Sequence, residues 1–327
     1  MSFQTPDQPA TGGSPPPVSV VAPIAELVAE ASAAGSEGNS SGRHSPQSGE
    51  TEAAASDPSA VAEARTPLQL PRIVAVANQK GGVGKTTTCV NLGAGLAELG
   101  FRTLVVDLDP QGNATTGLGV NHRSVQGSVY DVIMHAAPVE DCIEPTSVKN
   151  LFVIPATIDL AGAEIELVPA MSRELKLRNA LNGVRDDYDI MLIDCPPSLG
   201  LLTVNGLAAA DEVLVPIQCE YYALEGLGQL LRNVTLVSKN LNPTLEVRSI
   251  VLTMFDARTQ LAKQVENEVR NHFGTKVFRN VIPRAVRISE APSFGQPVLV
   301  FDSTSRGAIA YRELAKEFSR DATRRIG

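Results

Sequence analysis

The sequence predicts an α/β protein, a single doubly wound and mostly parallel sheet flanked by helices, behind a disordered N-terminal tail. Three observations carry that prediction. Short β-branched apolar runs alternate with stretches of helical spacing from Pro71 onward. A Gly-rich turn, "NQKGGVGKTTT", lies between the first such run and the first helical stretch. The composition also changes abruptly between the first 66 residues and the rest of the chain.

The tail, residues 1–66, is rich in Ala, Ser, Gly, Glu and Pro and has one aromatic, Phe3. It offers too little apolar surface to offset the entropy of ordering, so it reads as disordered. Within it, 18–34 ("VSVVAPIAELVAEASAA") has the pattern of a transient helix or docking motif. Eight acids against two arginines give the tail a charge of −6, leaving −2 of the total −8 for the domain over 67–327. An acidic chain of this kind neither demands nor forbids a local basic patch.

"RIVAVAN" reads as a strand buried on both faces. The helix "TTTCVNLGAGLAELG" follows the glycines and stops at Gly100. "RTLVVDLD" is a second buried strand, closed by a turn from Pro110 to Asn113. A short helix is expected over Val129–His135, a strand at "NLFVIPA" and a helix over 172–184. "YDIMLIDCPP" is a strand stopped by two prolines. "ADEVLVPIQ" and "VRSIVLTMF" are strands, with helices over Ala223–Lys239 and Thr259–Phe273, and "KVFRNVIP" closes the set. A last helix over 304–319 places Ile309, Tyr311, Leu314, Ala315 and Phe318 on one buried stripe. Strands and helices in this alternation form parallel βαβ units, whose ligands lie beyond the carboxyl ends of the strands. Loops 78–87, 107–113, 194–198 and 253–258 are therefore expected to converge.

The first of these loops has the chemistry of a triphosphate cradle. Gly81, Gly82 and Gly84, with Val83 between them, let backbone amides curl around phosphate oxygens, and the helix N-terminus adds more amides. Lys85 supplies a charge for the β- and γ-phosphates, Thr86 a hydroxyl for Mg²⁺, and Thr87 a contact to the α-phosphate. The pattern GxxxxGK[ST] is met except at its first glycine, where Gln79 stands. Lys80 precedes the glycines, so its side chain is free to point away from its own nucleotide. Two acids end the second strand: Asp107 and Asp109 share a face if the strand persists. In "IMLIDCPP", Asp194 follows four apolar residues and is placed to hold a Mg²⁺-bound water, with Pro196 and Pro197 stiffening the turn.

"KGGVGKTT" resembles the deviant Walker A box of the ParA/MinD group of P-loop ATPases. From about Arg72 to Phe318 the chain resembles the Soj-type chromosomal ParA partition ATPases, through "VDLDPQGNATTGLG", "YDIMLIDCPPSLG", "VPIQCEYYALEGL", "LTMFDART" and "IPRAVRISEAPSFGQPV". The resemblance implies ATP and Mg²⁺ as cofactors, an ATP-bound homodimer, and Lys80 reaching the nucleotide of the other subunit. It implies that Asp109 positions the attacking water, with Asp107 supporting the Mg²⁺ shell or the loop. Arg258 and Arg287 fall where the family contacts double-stranded DNA without sequence preference. Pro283 packs by the adenine, and Ala285 stands where the family commonly has asparagine, leaving only backbone contact to the base. The resemblance further implies a ParB-type centromere-binding partner that stimulates hydrolysis, and a cytoplasmic, nucleoid-associated protein. Related readings are a ParA-like positioner of another cargo, such as a chemoreceptor array or a compartment, and a nucleotide-gated scaffold without turnover.

Several classes are disfavoured. No apolar run approaches the ~18–20 residues of a membrane span, and "DATRRIG" lacks the basic amphipathic helix of MinD-like proteins. Cys89, Cys142, Cys195 and Cys219 include no CxxC pair and read as reduced thiols, not a disulfide frame, a zinc site or an iron–sulfur cluster.

Overall fold

Seven strands form one sheet in the order β3-β4-β2-β5-β1-β6-β7, in a computed structural model that describes residues 73–220 and 223–324. They are β1 (Ile73–Val76), β2 (Thr103–Asp107), β3 (Glu144–Pro145), β4 (Leu151–Ile154), β5 (Ile190–Asp194), β6 (Glu212–Gln218) and β7 (Glu246–Thr253). All neighbours pair in parallel except the two-residue β3, which runs antiparallel to β4 at one edge. β1, β2 and β5 are buried along their whole length, as near-continuous apolar runs require. The tail and its 18–34 segment lie outside the described residues.

The helices are α1 (Lys85–Glu98), α2 (Asn113–Gly117), α3 (Val129–Met134), α4 (Leu160–Glu166), α5 (Lys176–Leu181) and α6 (Leu201–Ala209). They continue with α7 (Ala223–Asn240), α8 (Gln260–Phe273), α9 (Val286–Glu290), α10 (Val298–Phe301) and α11 (Arg306–Arg324). α1 crosses the sheet beneath α11. Gly95 lets them meet, because a methyl group there would stand 2.8 Å from Ala315 Cβ. Gly100, with φ 97°, ends the first turnback, and Phe101 N donates to Leu96 O at 3.1 Å.

Three expectations need correction, and two helices were not expected at all. Residues 172–184 do not form one helix: a 3₁₀ turn at Arg173–Leu175 precedes α5, and the chain leaves the helix at Asn182. "KVFRNVIP" is not a ladder strand: it forms isolated bridges, Val277 with Ile250 and Pro283 with Phe255, and Ile282 N donates to Leu252 O of β7. Ile309 faces out, 51% exposed, while Tyr311, Leu314, Ala315 and Phe318 are buried. Finally α4 and α6 carried no readable signal. α6 is buried on nearly every side, so its apolar run has no polar face to set a period.

Candidate functional site

The parallel strands end on one side, and their loops are stitched together there. Cys195 N donates to Val76 O, and Leu108 N to Asp194 O. Phe255 N donates to Ile282 O, and Arg284 N returns to Phe255 O. The loop after β1 is fixed at both ends by side-chain hydrogen bonds, one from its own Asn78 to β6 and one from Thr253 of β7. Asn78 Nδ2 donates to Pro216 O at 2.8 Å while its Oδ1 accepts Lys80 N at 3.0 Å. Thr253 Oγ1 donates to Val83 O at 2.8 Å. Gly82 and Gly84 have φ of 73° and 88°, which side chains rarely adopt. A methyl at Gly81 or Gly82 would meet nothing within 4 Å, so no neighbouring protein atom crowds the amides there. Gly82 is explained by its positive φ alone, whereas at Gly81 close approach by a ligand phosphate is a physical reason for glycine.

Lys85 is buried at the base of this loop, and its Nζ donates to Lys80 O at 3.2 Å. Burial pulls its pKa down, while Asp194 and Asp109 push it up. Thr86 and Thr87 are half-buried on the first turn of α1.

Asp107 and Asp194 are register partners on adjacent strands, and both are fully buried. Their environments differ. Asp107 accepts from Thr115 N at 2.7 Å, Thr115 Oγ1 at 2.6 Å and Asp109 N at 3.3 Å. Its oxygens thus accept from the loop after β2 and from the start of α2. Burial still raises its pKa to about 6 against those hydrogen bonds. Neither oxygen of Asp194 has a hydrogen-bond partner among the described residues. Burial pushes its pKa well up and the charge of Asp107 adds to this; the nearby Thr86 hydroxyl and Lys85 oppose it. A buried carboxylate without a partner is costly, and a hydrated divalent cation next to Thr86 is the kind of group that would satisfy it. The donor set therefore fits Mg²⁺ bound with a triphosphate. Asp109 does not share the face of Asp107: β2 ends at Asp107, and Asp109 turns to accept Gln111 N at 3.0 Å.

Lys80 departs from Lys85. Its ammonium lies 3.8 Å from Glu220, whose other oxygen accepts from Gln218 Nε2 at 2.6 Å and from Arg284 at 3.2 Å. Glu220 escaped the sequence reading because only the β1–β6 pairing brings it to the phosphate loop. Thr253 reaches the loop through the β6–β7 pairing, and Asn78, though in the loop, finds its acceptor Pro216 only once β6 lies beside β1.

Arg258 lies on the loop after β7 and Arg287 in the short helix α9, both exposed. Arg258, with its side chain 88% exposed, is held by both oxygens of Asp256. Arg287 pairs with Glu290 at 3.0 Å and Asp302 at 3.2 Å and lies over the Phe301 ring. Pro283 sits half-buried at the Phe255 bridge, and Ala285 caps α9 in extended conformation. The four thiols are buried; burial raises their pKa values, that of Cys219 to about 12.

Known proteins share this arrangement. A family model described as an AAA domain matches residues 71–247. The sporulation initiation inhibitor protein Soj of Bacillus subtilis is 60% identical over 246 residues, 75% of this chain and 97% of that protein. The chain belongs to the ParA/Soj family. The chromosome partitioning protein ParA of Myxococcus xanthus is 52% identical over 252 residues, 77% of this chain and 89% of that one. Among solved structures, one named cobyrinic acid a,c-diamide synthase of Mycobacterium smegmatis, with bound ADP and magnesium, is 41% identical. The match covers 76% of this chain and 93% of that one, with a TM-score of 0.66. No helix among the described residues is long and apolar enough to cross a membrane.

Proposed function

We propose that this ParA/Soj-family chain is an ATPase of chromosome segregation. ATP joins two copies, the dimer holds double-stranded DNA without sequence preference, and a ParB-type partner stimulates hydrolysis and release. The observation that carries this reading is the division of labour between the lysines. Lys85 is buried under its own loop, whereas Lys80 emerges on the other side against Glu220.

In this reading, amides of Gly81–Gly84 and the N-terminus of α1 bind and orient the phosphates, and Lys85 neutralises their charge. Thr86 and Asp194, the latter through water, hold Mg²⁺, which supplies further charge neutralisation on the phosphates when bound. Asp109 orients the attacking water for in-line displacement, and Lys80 of the second copy stabilises charge on the transferred group, as an arginine finger does. Pro283 and the backbone at Ala285 flank the base. Arg258 and Arg287 contact DNA phosphates, which makes the bound state nucleoid-associated.

The name of the Mycobacterium smegmatis relative suggests amide synthesis instead. The four protonated, buried thiols give no support to thiolate chemistry of any kind, and the Soj relative is much nearer in sequence. The deciding experiment measures phosphate release from ATP by the full chain, alone, with DNA, and with DNA plus the cognate ParB-type protein. Slow basal turnover raised by both additions is expected. Turnover indifferent to both overturns the reading.

A further inference from the structure

The segment from β4 into α4 touches both acid-bearing loops. At its start, Ala156 N donates to Thr115 Oγ1 at 3.0 Å, and Thr115 in turn binds Asp107. At its end, the Glu164 carboxylate reaches the N-terminus of α6, the helix that follows Asp194 after one loop. Oε2 accepts Leu201 N at 2.9 Å and Oε1 accepts Leu202 N at 3.3 Å. α6 has no capping side chain of its own, because its cap residue is Gly200.

Gly200 is fitted to this carboxylate. Its backbone is extended, φ −86° and ψ −174°, a conformation open to any residue. A methyl there would nevertheless lie 2.1 Å from both oxygens of Glu164. Glycine thus lets the carboxylate sit directly over the start of α6, and a side chain there would displace it. Thr203 Oγ1, bonded to Ser198 O at 2.6 Å, ties the middle of the same loop to α6. The loop over 195–200 is therefore anchored at Val76, at Thr203 and, from outside its own βα unit, at Glu164.

We propose that Glu164 is a positioning residue for ATP hydrolysis, bracing the loop after Asp194 against the loop that carries Asp107 and Asp109. The role rests on the ATPase reading above. Asp109 and Asp194 must keep their relative placement for a water and a cation to be set against one phosphate, and small misplacement of such groups lowers rate steeply. Simple helix capping gives a different signature, since loss of a cap lowers stability without singling out turnover.

The test is steady-state ATP hydrolysis by the full chain and four variants, with melting temperature recorded for each. Glu164→Ala is expected to lower kcat by about tenfold to a hundredfold and to change KM by less than about threefold. Glu164→Gln keeps one carbonyl acceptor and is expected to recover part of kcat. Gly200→Ala pushes the carboxylate away and is expected to reproduce the loss with Glu164 present. In the Glu164→Ala background the clash is gone, so Gly200→Ala is expected to add little. Wild-type kcat in folded Glu164→Ala, or a full additional loss in the double variant, overturns the role. If Glu164→Ala fails to fold, wild-type kcat in Gly200→Ala overturns it equally. A wild-type chain that releases no phosphate overturns the ATPase reading itself.

Discussion

Lys80 Nζ stands 3.8 Å from the Glu220 carboxylate of its own chain. Both side chains are partly exposed, at 30% and 45%, so the pair is screened and contributes little to stability. It can therefore be exchanged for a stronger anion. A triphosphate on a second copy is such an anion, and Lys80→Ala removes the group that would meet it. That variant is expected to bind ATP within several-fold of wild type yet to remain monomeric with ATP by light scattering. A normal ATP-dependent dimer would remove the trans role from Lys80.

Asp109 is buried, and its carboxylate accepts from Gln111 N with acceptor capacity left for a water. Asp109→Ala is expected to lower phosphate release by about a hundredfold or more, with nucleotide binding kept. A nucleotide-gated scaffold without turnover would show no phosphate release in wild type either. Hydrolysis at the wild-type rate in Asp109→Ala places the water-orienting group elsewhere.

The carboxylate of Asp194, buried without a partner among the described residues, sets a measurable cost on the ligand-free chain. Its pKa and that of Asp107 are raised in the folded state, so the protonated forms are favoured by folding. Their contribution to stability is then fully present below the unfolded value of ~3.9. It is lost as pH rises, for Asp107 through about 6. Asp194→Asn removes the ionisation at the unpartnered site. Without ligand it is expected to melt above wild type at pH 8, with the advantage smaller at pH 5. The same variant should lose the extra thermal stabilisation that Mg²⁺ adds to bound nucleotide. A variant that melts below wild type at pH 8 would contradict this account of Asp194.

Much of this site was legible because its parts are local in the chain. The loop from Lys80 to Thr87 carries its own glycines, lysines and hydroxyls between a strand and a helix. Asp194 ends an apolar run that could only be a buried strand. What was hidden comes from long-range pairing. Glu220, Thr253 and Glu164 reach the loops only once β6, β7 and α4 are in place, and no spacing in the sequence links them to the glycines. Asp107 and Asp109 share a face only if the strand persists, and β2 ends at Asp107, so their hydrogen-bond partners diverge. The segment 276–283 has the composition of a strand, yet it makes two isolated bridges in place of a ladder. Composition cannot tell those apart, because the same apolar residues are buried either way.

Arg258 and Arg287 are each already neutralised by carboxylates, Asp256 in one case and Glu290 with Asp302 in the other. Arg258 holds the pKa of Asp256 down to about 2, so that acid stays ionised across the usable pH range. A DNA phosphate must compete with these acids, and exposed pairs yield readily to such competition. Charge reversal at both arginines leaves acids facing acids and should abolish retention on DNA, with ATP-dependent dimerisation intact. Milder substitution is more informative about mechanism. Arg258→Ala is expected to weaken binding to every sequence alike. It should also reduce the slope of log affinity against log salt by about 0.9 for each DNA phosphate that is no longer neutralised. Asp256→Asn, which frees Arg258 from its local partner, should strengthen binding and leave that slope no shallower. Salt titrations of DNA binding on the three variants check all of this together. Unchanged DNA binding in the double charge reversal would move the DNA surface away from these two arginines.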